Sequence, residues 1–206
     1  MSAFPNSPRV LKGGIVLLDP VSGQLQRIIT LQYNPDTLTR SLQVQSVDPA
    51  GGKNRSEALR LKGPPIETFK LDAEIDATDQ LEQSDQNSAA VQAGIYPQLA
   101  ALETIIYPSS AQLLATNALA QSGTLEIAPM EAPLTLFVWS RNRVVPVRIT
   151  DFSVTEEAFD VNLNPIRAKV SLGMRVLNVN DVGFLTPAGA LYLIYQTGKE
   201  AMARLA

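Results

Sequence analysis

Residues 133–177 read PLTLFVWSRNRVVPVRITDFSVTEEAFDVNLNPIRAKVSLGMRVL, a run of β-strand signals with almost no helical periodicity. Along Ala168, Val170, Leu172, Met174 and Val176 every second residue is apolar, and Arg167, Lys169, Ser171, Gly173 and Arg175 lie between or beside them. Side chains alternate across a strand, so this segment presents one dry face and one face turned to water or to a partner. Upstream, Leu134–Trp139 and Val144–Ile149 predict a hairpin closed by Ser140-Arg141-Asn142-Arg143. The inward phase then slips, from Val147 and Ile149 to Phe152 and Val154, and a β-bulge near Thr150-Asp151 accounts for the slip. Asp160–Pro165 reads as the next turn. A sheet of this kind has edges, and edges are either protected or used.

The pattern recurs on the N-terminal side. Ile15–Leu18 and Leu25–Tyr33 predict a hairpin around Asp19-Pro20-Val21-Ser22-Gly23, where Pro sets φ and Gly accepts positive φ. Leu38–Val47 is a third strand. Phe69, Leu71, Ala73 and Ile75 alternate with Lys70, Asp72, Glu74 and Asp76 in another. Asp72, Glu74 and Asp76 suggest a cation site, but residues two apart along a strand are spaced too widely to share one ion, and a wet sheet face is the better reading. Residues 1–9 read as a flexible arm and 48–65, rich in Gly, Pro and charge, as a mobile loop.

Two segments carry helical spacing. Ala89–Tyr107 places Ile95, Leu99, Leu102 and Ile106 on one face, with Pro97 near the first turn and Pro108 as the stop. Pro187–Leu205 places Leu191, Ile194, Tyr195, Met202 and Leu205 together. Residues 109–132 fit either a short helix over Ala111–Ala120 or a loop. The fold class is therefore α+β and mainly β: a sandwich or barrel (residues 10–180) with a packed helix, followed by a C-terminal helical extension (181–206).

Composition narrows function more than it narrows fold. In 206 residues there is no cysteine and no histidine. That removes disulfides, thiolate chemistry and the commonest general base and zinc ligand. With 45% hydrophobic and 18% charged residues, a real core is expected. A net charge of −3 argues against a nucleic-acid surface, and Arg141, Arg143 and Arg148 read as a solvated face or a protein interface. No signal peptide or membrane-length apolar run is visible, so synthesis and folding in the cytoplasm are expected. No phosphate loop, nucleophile elbow or metal spacing occurs; Gly51-Gly52-Lys53 only imitates one. Glu156 and Glu157 are adjacent on a strand and face opposite ways, so they do not form an acid/base pair. Trp139, the sole tryptophan, reads as core cover or as an anchor for a partner. No catalytic residue, cofactor or metal is assigned.

Four phrases in order, LQYNPDTLTRSL (31–42), IETFKLDAEIDATD (66–79), IYPQLAALETIIYP (95–108) and the stretch at 133–177, resemble the tube-type component of the contractile injection system baseplate. The resemblance implies a tail-tube-like fold whose strands join a barrel lining a six-membered ring. It further implies a structural adaptor between a spike hub and an inner tube. Longer relatives append a LysM module, and no such pattern follows here. The implied partners are further copies in a homohexamer, the inner tube protein above and the spike or hub protein below. A baseplate wedge or sheath-adaptor protein is also implied as a partner, but neither nucleic acid nor membrane. Under this reading the candidate interface residues are Tyr33, Asn34, Pro35, Lys53, Arg55, Trp139, Arg141, Asn142, Arg143, Asn162 and Asn164. The nearest alternative is the inner tube protein itself. From a different class comes a small-ligand barrel with Phe69, Phe137, Trp139 and Phe152 lining its pocket.

Deletion of residues 50–63 is expected to leave the monomer folding cooperatively while weakening ring or layer assembly. Thermal unfolding and native mass spectrometry check this, and loss of soluble, cooperatively folding protein contradicts it.

Overall fold

The structure, a computed structural model, describes residues 11–46, 60–121 and 132–206. The expected arm at 1–9 and most of the loop at 48–65, with Lys53 and Arg55, lie outside the described residues. Among the described residues seven strands form one antiparallel sheet: β1 (Gly14–Leu18), β2 (Leu25–Thr30), β3 (Leu38–Gln43), β4 (Ile66–Asp76), β5 (Leu134–Ser140), β6 (Arg143–Phe159) and β7 (Pro165–Val176). Their order is β2-β1-β5-β6-β7-β4-β3. The α+β, mainly β expectation holds, but the sheet is curled rather than closed. Among the described residues no ladder joins β2 to β3.

The curl is visible in the core. Neighbouring strands lie about 4.8 Å apart, so β4 and β5, with β7 and β6 between them, would stand roughly 14 Å apart in a flat sheet. Phe69 of β4 and Phe137 of β5 instead meet with ring centroids 5.5 Å apart. One core therefore gathers Ile15, Leu17, Phe69, Phe137, Val147, Val170 and Met174 from both halves of the sheet. The side-chain amide of Gln32, just beyond β2, donates to the Asp76 carbonyl (2.6 Å) and accepts from the Asp76 N–H (3.0 Å). That pair of bonds copies a rung of ladder where the two ends of the sheet come together.

The bulge lies where the pattern places it. Ile149 pairs with Met174 and Asp151 with Gly173, so Thr150 is the extra residue. Gly173 is needed there because a Cβ would stand 2.6 Å from the Asp151 carboxylate. Beyond the bulge β6 runs on to Phe159, with further register shifts between Glu156 and Ala158 and between Ala158 and Phe159.

The expected single helix over 89–107 is instead two, preceded by a short helix and a 3₁₀ turn. After α1 (Thr78–Glu82) and the turn at Ser84–Gln86 come α2 (Ser88–Ala93) and α3 (Tyr96–Glu103). Gly94 breaks them at φ 57°, ψ −131°. Its Cα presses on β7, where an added Cβ would lie 2.0 Å from the Pro165 carbonyl, and the Ile95 N–H donates to that same oxygen. Ile95, Leu99 and Leu102 are buried as expected, but Ile105 (4% exposed) replaces Ile106 (45%). The reason is a tightened last turn. Ile105 and Ile106 bond back three residues, to Leu102 and Glu103, and three-residue spacing rotates Ile105 inward. Residues Ser110–Gln121 form α4, settling the first part of 109–132; 122–131 lie outside the described residues.

The C-terminal region carries α5 (Val179–Val182) and α6 (Pro187–Ala203). The expected α6 stripe holds at Tyr195 and in part at Leu191 but not at its other positions. Ala188, Tyr192 and Tyr195 are buried, whereas Ile194, Met202 and Leu205 face solvent. A charge sets the phase. Glu67 of β4, only 3% exposed, accepts from the Tyr195 hydroxyl (2.8 Å) and from Lys199 Nζ (2.7 Å), with Arg40 at 3.8 Å. Tyr195 and Lys199 stand four apart on one helix face, and Lys199 Nζ lies 4.0 Å from the Tyr195 ring centroid. A buried carboxylate left without these donors would be costly, so the helix turns to supply them.

Burial, and then the hydrogen bond to Glu67, pushes the Tyr195 hydroxyl well above its ordinary range. An unfolded tyrosine ionises near pH 10 while the folded one keeps its proton, so stability present below that pH is lost as pH rises above it. Tyr195→Phe should cost about 1–3 kcal/mol at neutral pH. The gap to wild type should narrow above about pH 10 in urea unfolding series. A gap constant across that range contradicts the assignment.

Candidate assembly interface

Three kinds of surface are available for assembly: an outer polar face, two sheet edges and the hairpin tips. The outer face of β4, β7 and β6 is a charge-paired lattice. Register sets Asp72 beside Ser171, Glu74 beside Lys169 and Asp76 beside Arg167. Arg167 Nε donates to Asp76 at 2.7 Å and Lys169 reaches Glu157 at 3.0 Å, while the Ser171 hydroxyl donates to Asp72. Burial pushes the Asp76 carboxyl up, but the Thr78 hydroxyl and amide and the Arg167 guanidinium outweigh it and hold it below its ordinary range. Asp72 and Asp76 thus bond to β7 or to Thr78 and Glu74 faces Lys169, so the row reads as a self-compensated sheet face.

The edges differ from that face. On β2, Leu25 and Ile28 (60% exposed) point to solvent, and on the β3 side Leu42 and Val44 do the same. Among the described residues each strand has a neighbour on one side only, β1 for β2 and β4 for β3. A six-residue edge with aliphatic side chains and unpaired backbone is a template for strand addition.

Those sequence-derived interface residues that lie among the described residues divide between the two ends of β6. At the start of β6, Arg141 and Asn142 form the two-residue turn after β5 and are exposed. Arg143 lies over the Phe69 ring at 5.9 Å, and Asn142 Nδ2 approaches Met202 Sδ at 3.9 Å. Trp139, half-buried, packs on Phe137 (5.9 Å between centroids) and covers Gly13, where a Cβ would stand 2.8 Å from the indole. Asn34 is committed inside the molecule, accepting from the Gly13 N–H (2.9 Å) and donating to the Leu11 carbonyl (2.8 Å). Tyr33 is exposed beside it and Pro35 half-buried.

At the other end, Asn164 is likewise structural. Its amide donates to Asp160 Oδ2 (2.9 Å) and to the Gln92 carbonyl (3.2 Å). The Asn162 side chain is exposed. Sequence reasoning passed over the two neighbours that stand out most, Val161 (97% exposed) and Leu163 (79% exposed). Their position in an apolar–polar alternation was read as turn chemistry alone.

The four aromatics expected to line a ligand pocket fill the core instead. Phe69 and Phe137 are buried, and Trp139 and Phe152 pack against them or their neighbours. A cleft of about 510 Å³ lies elsewhere, lined by Pro20, Ile105, Leu134, Val147, Ile149 and Ala188 among others. No metal-holding cluster of acidic side chains occurs among the described residues, and no helix among them is long and apolar enough to cross a membrane.

Comparison with solved structures returns the tail of an empty gene transfer agent particle refined with C6 symmetry. It is 16% identical and covers 80% of this chain and 90% of that one, with a TM-score of 0.31. The virion of a native gene transfer agent particle matches at 11% identity, 83% and 95% coverage and a TM-score of 0.29. At those scores the likeness carries no weight here. No curated protein matches. The family model for the contractile injection system tube protein matches residues 18–178, from the end of β1 through the end of β7. This chain belongs to the contractile injection system tube protein family.

Proposed function

We propose that this tube protein closes into a six-membered ring and serves as the adaptor layer joining a spike hub to an inner tube. The single observation that carries the ring is the pair of open, apolar-bearing edges, β2 and β3, at opposite ends of one sheet. A subunit with two different unpaired edges makes head-to-tail contacts, and such contacts close when the rotation between copies allows it. In this ring β2 of one copy lies against β3 of the next, and exposed backbone groups become intersubunit hydrogen bonds. The charge-paired face of β4, β7 and β6 then faces the lumen. Phage-tail-like particles are the setting, with other tail proteins as partners.

Ile28→Lys and Leu42→Lys place charge on exposed edge positions, so each should change monomer stability by about 0.5 kcal/mol or less. Both should abolish the ring in native mass spectrometry. A ring that survives the double variant removes edge pairing as its basis. Electron microscopy of assembled particles checks the adaptor position separately, by locating a single layer of this subunit between spike and tube. Many copies along the tube would assign the chain as the inner tube protein instead.

A further inference from the structure

β5 begins at Leu134, and Pro133 before it has no N–H to give to a ladder. Thr135 pairs with Val147, and from there β6 runs on beside β7. Where β5 stops, the wall formed by Val147, Arg148 and Ile149 opens into the cleft of about 510 Å³. That size falls within the roughly 300–1,000 Å³ of small-molecule sites. Ile105 and Ile106, placed by the tightened end of α3, close one side, and Val182 of α5 with Ala188 of α6 close another.

Among the described residues that line the cleft, only Thr135, Arg148 and Thr186 carry polar side chains. The two threonines are consumed inside the chain. The Thr135 hydroxyl donates to the Pro133 carbonyl (3.3 Å), and the Thr186 hydroxyl donates to the Gly183 carbonyl (3.1 Å) and accepts from the Gly189 N–H (3.1 Å). Arg148 is exposed, and among the described residues its guanidinium has no hydrogen bond or ion pair. Across the ladder from it stands Arg175, and like charges set opposite each other on a sheet repel. The acids close by are taken. Asp181 accepts from Arg175 (2.8 Å) and from the Asn178 N–H (3.0 Å), and Asp151 accepts from the Thr150 hydroxyl (3.2 Å). No aspartate or glutamate among the described residues lines the cleft. An uncompensated guanidinium thus stands at the wall of an otherwise apolar cavity.

We propose that this cleft binds a free fatty acid, its tail against Ile105, Ile106, Leu134, Ile149 and Val182 and its carboxylate on Arg148. The occupant follows from charge complementarity. An uncharged apolar ligand leaves the guanidinium unanswered, and a cationic one is repelled by Arg148 and Arg175 together. A small polar anion forfeits the apolar walls. An acyl chain with one terminal carboxylate meets both demands, since guanidinium and carboxylate match in a bidentate pair and each buried methylene adds its own hydrophobic contribution. A carboxylate on Arg148 also offsets its repulsion with Arg175 across β6 and β7. No residue of β2 or β3 lines the cleft, so the inference goes beyond the ring reading and is tested apart from it.

The test is isothermal titration calorimetry of the full chain with dodecanoate below its micelle concentration. Saturable binding at a single site per subunit is expected, tightening about fourfold for each methylene added from octanoate to dodecanoate. Dodecanol, with the same tail and no charge, should bind at least about tenfold more weakly, and so should dodecanoate to Arg148→Gln. Ile106→Asp puts a carboxylate on a wall that water already reaches and should weaken binding as much. Both substitutions fall at solvent-reached positions, so thermal unfolding of the free variants should stay close to wild type. Arg148→Lys should recover part of the affinity. Arg148→Glu should reject dodecanoate and accept dodecyltrimethylammonium, which the wild type rejects. Weak uptake indifferent to both substitutions means an adventitious additive only and overturns the proposal. Binding that appears only after residues 123–130 are deleted also overturns it, because the chain then fills its own cleft. Binding to anionic phospholipid vesicles without binding to dodecanoate assigns a lipid surface instead and equally overturns it.

Discussion

Phe69 and Phe137 touch although two strands stand between them in the sheet, and the remainder of the molecule follows from that contact. To bring β4 over β5 the sheet must roll. The roll draws on the twist inherent in paired strands and on the extra residue at Thr150, which bends β6 and raises its local twist. Rolling puts the alternate side chains of β4 and β7 into one dry interior, with Val170 and Met174 at its centre, and leaves Lys70, Asp72, Lys169 and Arg175 outside. It also brings the two ends of the sheet near one another without pairing them. The Gln32 side chain bridges to Asp76 at that approach, and the edges otherwise stay open.

How much of this could be read in the residues depends on whether the signal is local. Strand alternation, the two-residue turn at Arg141-Asn142 and the bulge at Thr150 are set by neighbours within a few positions, and all three stand where the pattern placed them. The helices were misread where a distant partner sets the geometry. Gly94 breaks the helical run because β7 passes against it; Gly94 and Pro97 mark a boundary locally, but the contact with Pro165 that fixes it is distant in sequence. The face of α6 is chosen by Glu67, 128 residues before Tyr195, and a stripe of aliphatic residues is a weaker instruction than a buried carboxylate. For the candidate interface, Arg141 and Asn142 were legible as exposed turn residues. Asn34 and Asn164 were not legible as internal braces, because an asparagine in a turn bonds backbone or faces water with the same local sequence.

The Glu67 cluster shows how polar groups specify packing here. Replacing Glu67 alone would strand the buried Tyr195 hydroxyl and leave Lys199 unpaired, whereas replacing the whole cluster by apolar residues would cost little, since buried ion pairs offset their own desolvation only in part. Its effect is on register. Tyr195 donates, Lys199 neutralises and lies over the same ring, and Arg40 approaches from β3. Three elements therefore agree on one rotation of α6. That rotation puts Ile194, Met202 and Leu205 outside and carries the end of the helix to the β5–β6 turn. The exposed aliphatic end is thus a consequence of satisfying a charge, and it lies beside Asn142.

A protein that works by assembly need not concentrate its chemistry at a point. In this chain some of the described charges pair across neighbouring strands, as Asp76–Arg167 and Lys169–Glu157 do. Charges without an ion pair, such as Arg27, Lys70 and Arg148, are spread over several strands, and among the described residues what remains open in the backbone lies on β2 and β3. The two kinds of leftover interaction differ physically. Edge hydrogen bonds need alignment of strands and respond weakly to salt, whereas unpaired charges act over about 10 Å and are screened by it.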